Sequence, residues 1–333
     1  MRLALSPIEL LLPDGFTRGT IVLGNSCPSI LAPASAGSSE AGAVDLVVLA
    51  PSAAERRDRA WVQNAVETTV SRLSRDGIAY VIPSRAARLR RALETAGLRD
   101  AGLLLHVPDP VRTRHVVLLG TAAARYAVSG QLPANRFKRA VAAAGSRSRR
   151  LSTLGPTAAL LRRDPTIPLA GWVFELDGTP RFAGSALVTV GSGAAGGHLV
   201  HRFPAGSSAP DAVAKISPRA RQEHDALRGV AAAAAARAGA RVPSAIGSGE
   251  LGSVPFMLQS ALAGRSAALL IERKRLSPGA LQERIVAWLE RWGRASTHRR
   301  ELTAHDLRRL IRSPARRMPT STTSKGSVRA LKA

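Results

Sequence analysis

The stretch ALVTVGSGAAGGHLVHRF, residues 186–203, decides the fold of the second half of the chain. Two apolar runs flank a glycine cluster, which predicts two strands joined by a glycine-tipped hairpin. A dinucleotide-binding loop with the same G-x-G-x-x-G spacing would open a helix instead. Residues without a Cβ let backbone N–H groups approach phosphate oxygens. The candidate nucleotide-binding residues here are Gly191, Gly193, Gly196 and Gly197, and an ordinary flexible turn is the alternative.

The next predicted strand, residues 212–216, carries a lysine. Only five of the 48 Lys and Arg residues are lysines, so Lys215 stands where the composition favours arginine. A compact ammonium on a flexible stem can reach nucleotide phosphates and pair with a helix carboxylate. The helix predicted over residues 218–238 offers Glu223 as that partner, with Asp225 as the alternative. A solvated lysine and a solvated glutamate without a function are the other interpretation of this pair.

A further apolar strand, predicted over residues 254–262, turns polar at its end. The order of hairpin, lysine strand, helix acid and crossover strand resembles the aminoglycoside phosphotransferases and related small-molecule kinases over residues 186–296. The resemblance implies ATP with magnesium as the cofactor, and phosphoryl transfer to a hydroxyl of a small acceptor. It also implies adenine contacts near the crossover, at Gln259 and Ala261.

The residues that perform catalysis in that family have no counterpart in this sequence. A His-x-Asp-x-x-x-x-Asn loop and a later aspartate bind the metal and activate the acceptor there. Here no asparagine follows Asn135, and Asp225 and Asp306 are the only aspartates after Lys215. We therefore assign no catalytic and no metal-binding residue. The sequence predicts an ATP-binding lobe without phosphotransfer, as expected for a truncated or frameshifted reading frame.

The first half of the chain has a different pattern. Residues 44–120 alternate short apolar strands with amphipathic helices, which predicts a Rossmann-like α/β domain with a mostly parallel sheet. This region resembles the second half of a class I S-adenosylmethionine-dependent methyltransferase. The strand candidate at residues 20–24 is followed by Asn25 rather than by a glycine-rich loop. Methyl transfer is therefore the alternative function, and S-adenosylmethionine is not the expected cofactor.

The expected organisation is an α/β domain followed by an α+β, kinase-like amino-terminal lobe. It divides into an extension, the Rossmann-like domain, a helical connector, the kinase-like lobe and a basic tail that is disordered after about residue 314. The expected ranges are residues 1–43, 44–120, 121–180, 181–296 and 297–333.

The composition of the chain limits its possible partners and its cellular compartment. The net charge of +25 raises the possibility of a basic nucleic-acid-binding protein, the second alternative. The arginines are scattered and aromatic residues make up only 4%, so nucleic acid is not an expected partner. One cysteine, Cys27, excludes a disulfide framework and favours the cytoplasm. No apolar run is long enough to cross a membrane. A nucleotide is the expected partner, and the residues indicate neither the acceptor nor the oligomeric state.

Overall fold

The computed structural model describes residues 5–27, 42–107, 109, 113–119, 121–127, 157–175, 185–190, 197–263, 270–271 and 275–296. The described strands are β1 (Thr20–Leu23), β2 (Val44–Leu49), β3 (Leu73–Val81), β4 (Arg99–Val107), β5 (His115–Leu118), β6 (Thr157–Arg162), β7 (Ser185–Val190), β8 (His198–Phe203), β9 (Ala212–Ile216), β10 (Ala245–Leu251) and β11 (Val254–Ser260). The described helices are α1 (Arg59–Arg72), α2 (Ala87–Thr95), α3 (Ala122–Tyr126), α4 (Trp172–Glu175), α5 (Ala220–Arg228), α6 (Val230–Arg237) and α7 (Pro278–Ser296). A short 3₁₀ turn at Glu9–Leu11 precedes β1.

The described strands join in one 11-stranded sheet with the order β1-β2-β3-β6-β4-β5-β7-β8-β9-β11-β10. The predicted mixture of helices and strands is confirmed. The expectation of a mostly parallel sheet in the first half is wrong, because among the described strands only β1–β2 and β2–β3 pair in parallel. From β3 onward each pairing is antiparallel.

Strand β6 accounts for most of that difference. Residues 121–180 were expected to form a helical connector, yet Thr157–Arg162 inserts between β3 and β4 as a strand whose six residues are all buried. Alanine and leucine favour helices in isolation, and a strand buried on both faces shows no alternation. Burial between two neighbouring strands overrides the helix propensity here.

The second half contains the five antiparallel strands β7-β8-β9-β11-β10. Strand β7 also pairs with β5, through His115↔Thr189 and Val116↔Val188, so the sheet continues across the boundary expected near residue 120. Strand β10 was not predicted, because Gly247 and Gly249 interrupt its apolar pattern. The predicted basic tail lies outside the described residues.

The helix expected over residues 218–238 is broken in two. Gly229 adopts an extended conformation between α5 and α6, and glycine interrupts helices readily because of its conformational freedom. Ser217 does not cap α5 with its side chain, and its buried hydroxyl has no partner among the described residues. Gly97 follows the last turn of α2 in the left-handed conformation, with φ of 96°, as is common for glycine after a helix.

Two large apolar clusters cover opposite faces of the sheet, and a smaller third cluster packs α3 on β5, β7 and β8. One packs α1 and α2 against β2 and β3 and includes Val47, Leu89 and Leu161. The other contains side chains from both halves of the sheet, for example Tyr80 and Phe256. Trp172 belongs to this second cluster, where its ring packs edge-on against Phe256 and its Nε1 donates to the Leu10 carbonyl at 3.0 Å. The second cluster therefore ties the two halves of the sheet together.

Candidate functional site

The candidate site lies on the side of β8, β9 and β11 that faces away from the second cluster. Successive side chains of a strand point to opposite faces. In β9 the side chains of Ala212, Ala214 and Ile216 are buried in the cluster, whereas Val213 and Lys215 are only half-buried. We call the opposite surface the Lys215 face, defined by the side chains of Leu199, Val213, Lys215, Met257 and Gln259.

An ion pair marks the centre of this face. The Lys215 ammonium contacts the carboxylate of Glu223, and the two side chains are 37% and 34% exposed. Helix α5 packs on β10 and β11, which brings Glu223 beside β9. The alternative acid, Asp225, is 82% exposed and approaches His224. The structure thus pairs Lys215 with the carboxylate that the sequence favoured, and partial exposure leaves the ammonium accessible.

Register places apolar neighbours on both sides of this lysine. Lys215 lies opposite Leu199 in β8 and opposite Met257 in β11. Leu199 is half-buried and Met257 is buried. The ammonium therefore lies between the apolar side chains of Leu199 and Met257. A charge in such surroundings interacts more strongly with an anion than it does in water.

Of the four predicted phosphate-binding glycines, Gly191, Gly193 and Gly196 lie outside the described residues. Gly197 is described and sits at the start of β8. A Cβ added there would lie 3.0 Å from the Ile216 carbonyl oxygen and 3.5 Å from the Ser217 Cβ. Close backbone approach to the end of β9 is thus a sufficient reason for glycine at this position, and its contact with a phosphate stays a prediction.

At the end of β11, the Ala261 N–H is not available to bind adenine, because it is already hydrogen-bonded within the protein. The Ala261 N–H donates to the Asp211 carbonyl at 2.7 Å, and the Ser260 N–H donates to the Ser244 carbonyl at 2.9 Å. These groups are therefore committed to the fold. Gln259 lies opposite Val213 on the Lys215 face, with a half-buried side chain. An adenine contact at this end of the face would come from Gln259 or from the Ala261 carbonyl.

Two histidines at the β5–β8 side of this face were not predicted as site residues. Burial and the nearby His115 lower the pKa of His201 to about 4, and its Nδ1 has no partner among the described residues. His115 Nδ1 lies 3.2 Å from Thr189 Oγ1, and the Tyr126 ring lies 6.2 Å from the His201 ring. Both imidazoles are neutral at pH 7, because burial also lowers the pKa of His115. Nothing in their sequence spacing marks them.

Metal-binding chemistry is not supplied by the residues seen here. Over the described ranges, no three His, Cys, Asp or Glu side chains come together in a group that could hold a metal ion. The same part of the chain contains no helix that is both long and apolar enough to span a membrane.

The loop after β1, where a methyltransferase would hold its cofactor, is packed against the loop after β2. Gly24 has φ of 95°, and a Cβ there would lie 2.5 Å from the Ala50 carbonyl oxygen. The next residue, Asn25, donates its Nδ2 to Glu55 at 3.0 Å, and Glu55 also accepts the Ser52 N–H at 2.7 Å. Polypeptide contacts explain the conformation of this loop without a cofactor.

Comparisons with protein-family models, with curated proteins and with solved structures returned no match.

Proposed function

We propose that the Lys215 face binds the phosphates of ATP, as the nucleotide-binding lobe of a phosphotransferase-like protein. The observation that carries the proposal is the Lys215–Glu223 ion pair on a half-exposed sheet face. A carboxylate on a packed helix holds the ammonium in place, and the exposed part of that ammonium remains able to contact phosphate oxygens.

The strand pairings support the proposal. A hairpin of β7 and β8 leads to the lysine strand β9, helix α5 supplies the acid, and β11 lies beside β9. This is the order of elements that the sequence suggested from its resemblance to small-molecule kinases. In such a lobe the hairpin covers the phosphates that the lysine contacts.

Magnesium enters this proposal only as a companion of the nucleotide, because the described residues provide no group of metal ligands. The proposed activity is binding, since no His-x-Asp-x-x-x-x-Asn loop follows the lysine in the sequence. Phosphoryl transfer by this chain, with its acceptor, forms no part of the proposal.

A thermal-shift panel tests the proposal against its alternatives. A ligand that binds only the folded state increases the free energy of unfolding, by about 2.7 kcal/mol at a hundredfold excess over Kd. The melting temperature rises accordingly. We expect Mg-ATP to stabilise the wild-type chain, and Glu223→Gln to reduce the shift because the ammonium loses its anchor. Stabilisation by S-adenosylmethionine alone would favour methyl transfer. Salt-sensitive binding of arbitrary DNA, with neither small ligand effective, would favour a nucleic-acid-binding protein.

A further inference from the structure

A cavity of about 410 Å³ opens where the loops after β2 and β3 meet helix α2. Strands β2 and β3 are parallel neighbours, so their carboxyl ends lie at the same edge of the sheet. In open α/β sheets, ligands bind in the crevice that the loops after such ends create. The residues that line this cavity are Arg56, Arg85, Ala86, Ala87, Arg88 and Leu89.

Across the ranges that the structure describes, none of the three arginines of this cavity pairs with a carboxylate. Several other described arginines pair with acids, including Arg90 with Asp100 and Arg202 with Asp211. By contrast, Arg56, Arg85 and Arg88 form no ion pair with another described residue. Within the described part of the chain, these side chains make one hydrogen bond, which Arg88 Nη1 donates to the Arg57 carbonyl at 3.1 Å.

The acids of the neighbouring loop are committed elsewhere. Glu55 accepts the Ser52 N–H, and the hydrogen bonds from Ser52 and Asn25 lower the pKa of this carboxyl. Asp58 accepts the Ala60 N–H at 2.9 Å and so caps α1. Both carboxylates stay charged, but their hydrogen bonds hold them in the loop, and among the described residues neither forms an ion pair with an arginine of the cavity.

We propose that this cavity binds a phosphate-bearing small molecule through Arg56, Arg85 and Arg88, with a phosphate monoester or a diphosphate as the recognised group. Planar guanidinium groups bind phosphate oxygens in pairs of parallel hydrogen bonds. The volume falls in the range of small-molecule sites, about 300–1,000 Å³, so it also accommodates the organic part of the ligand. This site is separate from the Lys215 face and does not depend on its proposed function.

Isothermal titration of pyrophosphate into the full chain, in metal-free buffer at low salt, tests this site. We expect saturable binding that weakens about tenfold or more in Arg85→Gln and in Arg88→Gln, as expected when one charge-assisted phosphate contact is lost. Arg91→Gln is the matched control, because Arg91 is exposed on the same helix but does not line the cavity. Binding in this control should stay within about twofold of wild type, and circular dichroism verifies that each variant is folded.

Three outcomes would overturn the proposal. The first is no saturable binding of pyrophosphate by the wild-type chain. The second is an equal loss in Arg91→Gln, which would indicate diffuse attraction to a basic surface of the kind that also binds duplex DNA. The third is a loss of pyrophosphate binding in Lys215→Ala, which would assign the binding to the other face. Titration with inorganic phosphate distinguishes a site for a phosphate monoester from a site for a diphosphate. A diphosphate site binds pyrophosphate more tightly than inorganic phosphate.

Discussion

At the scale of single residues, buried histidines make the stability of the fold depend on pH. Tyr80 Oη contacts His106 Nε2 in the core, and both side chains are fully buried. Burial lowers the pKa of His106 to about 4, and it raises that of Tyr80 well above its usual value. The Nδ1 of His106 lies 3.2 Å from Thr113 Oγ1, so both ring nitrogens have partners. The imidazole is therefore accommodated in its neutral form.

We predict that the free energy of unfolding is largest above about pH 6.5 and decreases as the pH falls toward 4. His106 and His201 have folded pKa values of about 4, against about 6.5 when unfolded. The unfolded chain therefore takes up their protons first, at about 1.4 kcal/mol per histidine and pH unit. Urea titrations at pH 7.5, 6 and 5 measure the slope, which His201→Gln should reduce. An unfolding free energy that is constant over this window would contradict the assignment.

Two glycines have similar positive φ angles but differ in the space around them. Substituting each by alanine therefore distinguishes backbone strain from steric crowding. Gly24 and Gly97 have φ of 95° and 96°, but only a Cβ at Gly24 would meet the backbone, at 2.5 Å from the Ala50 oxygen. Gly97→Ala should cost about 1–2 kcal/mol, the strain of the left-handed conformation. Gly24→Ala should cost clearly more, because the Ala50 backbone must also shift. Equal losses of unfolding free energy in urea titrations would show that crowding at Gly24 is relieved without cost.

At the scale of elements, the sequence predicted apolar runs such as β2, which is buried on both faces, and missed β6 and β10. Strand β9 begins and ends where it was predicted, and the rarity of lysine singled out Lys215. Strand β6 is an Ala/Leu run buried on both faces, and glycines interrupt the edge strand β10, so neither shows an alternation of apolar and polar residues in its sequence. The contact of Glu223 with Lys215 was predicted from the position of this acid on the helix that follows the lysine strand. The partners of the Ala261 N–H and of the histidines depend on tertiary packing, which local pattern does not encode.

The central position of β6 predicts a large effect of truncating it. Leu160 is fully buried in the sheet, so Leu160→Ala should lower the unfolding free energy by about 2–5 kcal/mol. Leu289 on α7 is 46% exposed and provides the same substitution at the surface. Leu289→Ala should change stability by less than about 0.5 kcal/mol. Chemical denaturation of both variants makes the comparison, and similar small effects would exclude a structural role for β6.

At the scale of the whole molecule, the described strands form one sheet with apolar clusters shared between its halves, where the sequence suggested separate domains. The pairing of β5 with β7 joins residues more than 70 positions apart, such as Val116 and Val188. Pairings over such distances are set by the assembled fold rather than by local periodicity. The resulting surface carries the Lys215 face on its second half and the arginine cavity at the carboxyl ends of its parallel strands.

A continuous sheet predicts cooperative unfolding of residues 20–260. Far-ultraviolet circular dichroism follows all strands and helices, whereas tryptophan fluorescence follows the surroundings of four tryptophans, of which Trp172 lies in the cluster that contains Tyr80 and Phe256. Both probes should give one coincident transition in urea, as expected of a two-state unit. Two separated transitions would show that the halves of the sheet unfold independently.

The central claim is that Lys215 contacts the phosphates of ATP, and calorimetric titration of Mg-ATP tests it most directly. The matched control is Arg221→Gln, which removes a cation from the same α5 helix that carries Glu223 and breaks an exposed pair with Glu250. We predict saturable binding to the wild-type chain, a loss of about tenfold or more in Lys215→Ala, and no change beyond about twofold in Arg221→Gln. Absence of binding to the wild-type chain, or equal affinity in Lys215→Ala, would contradict the account.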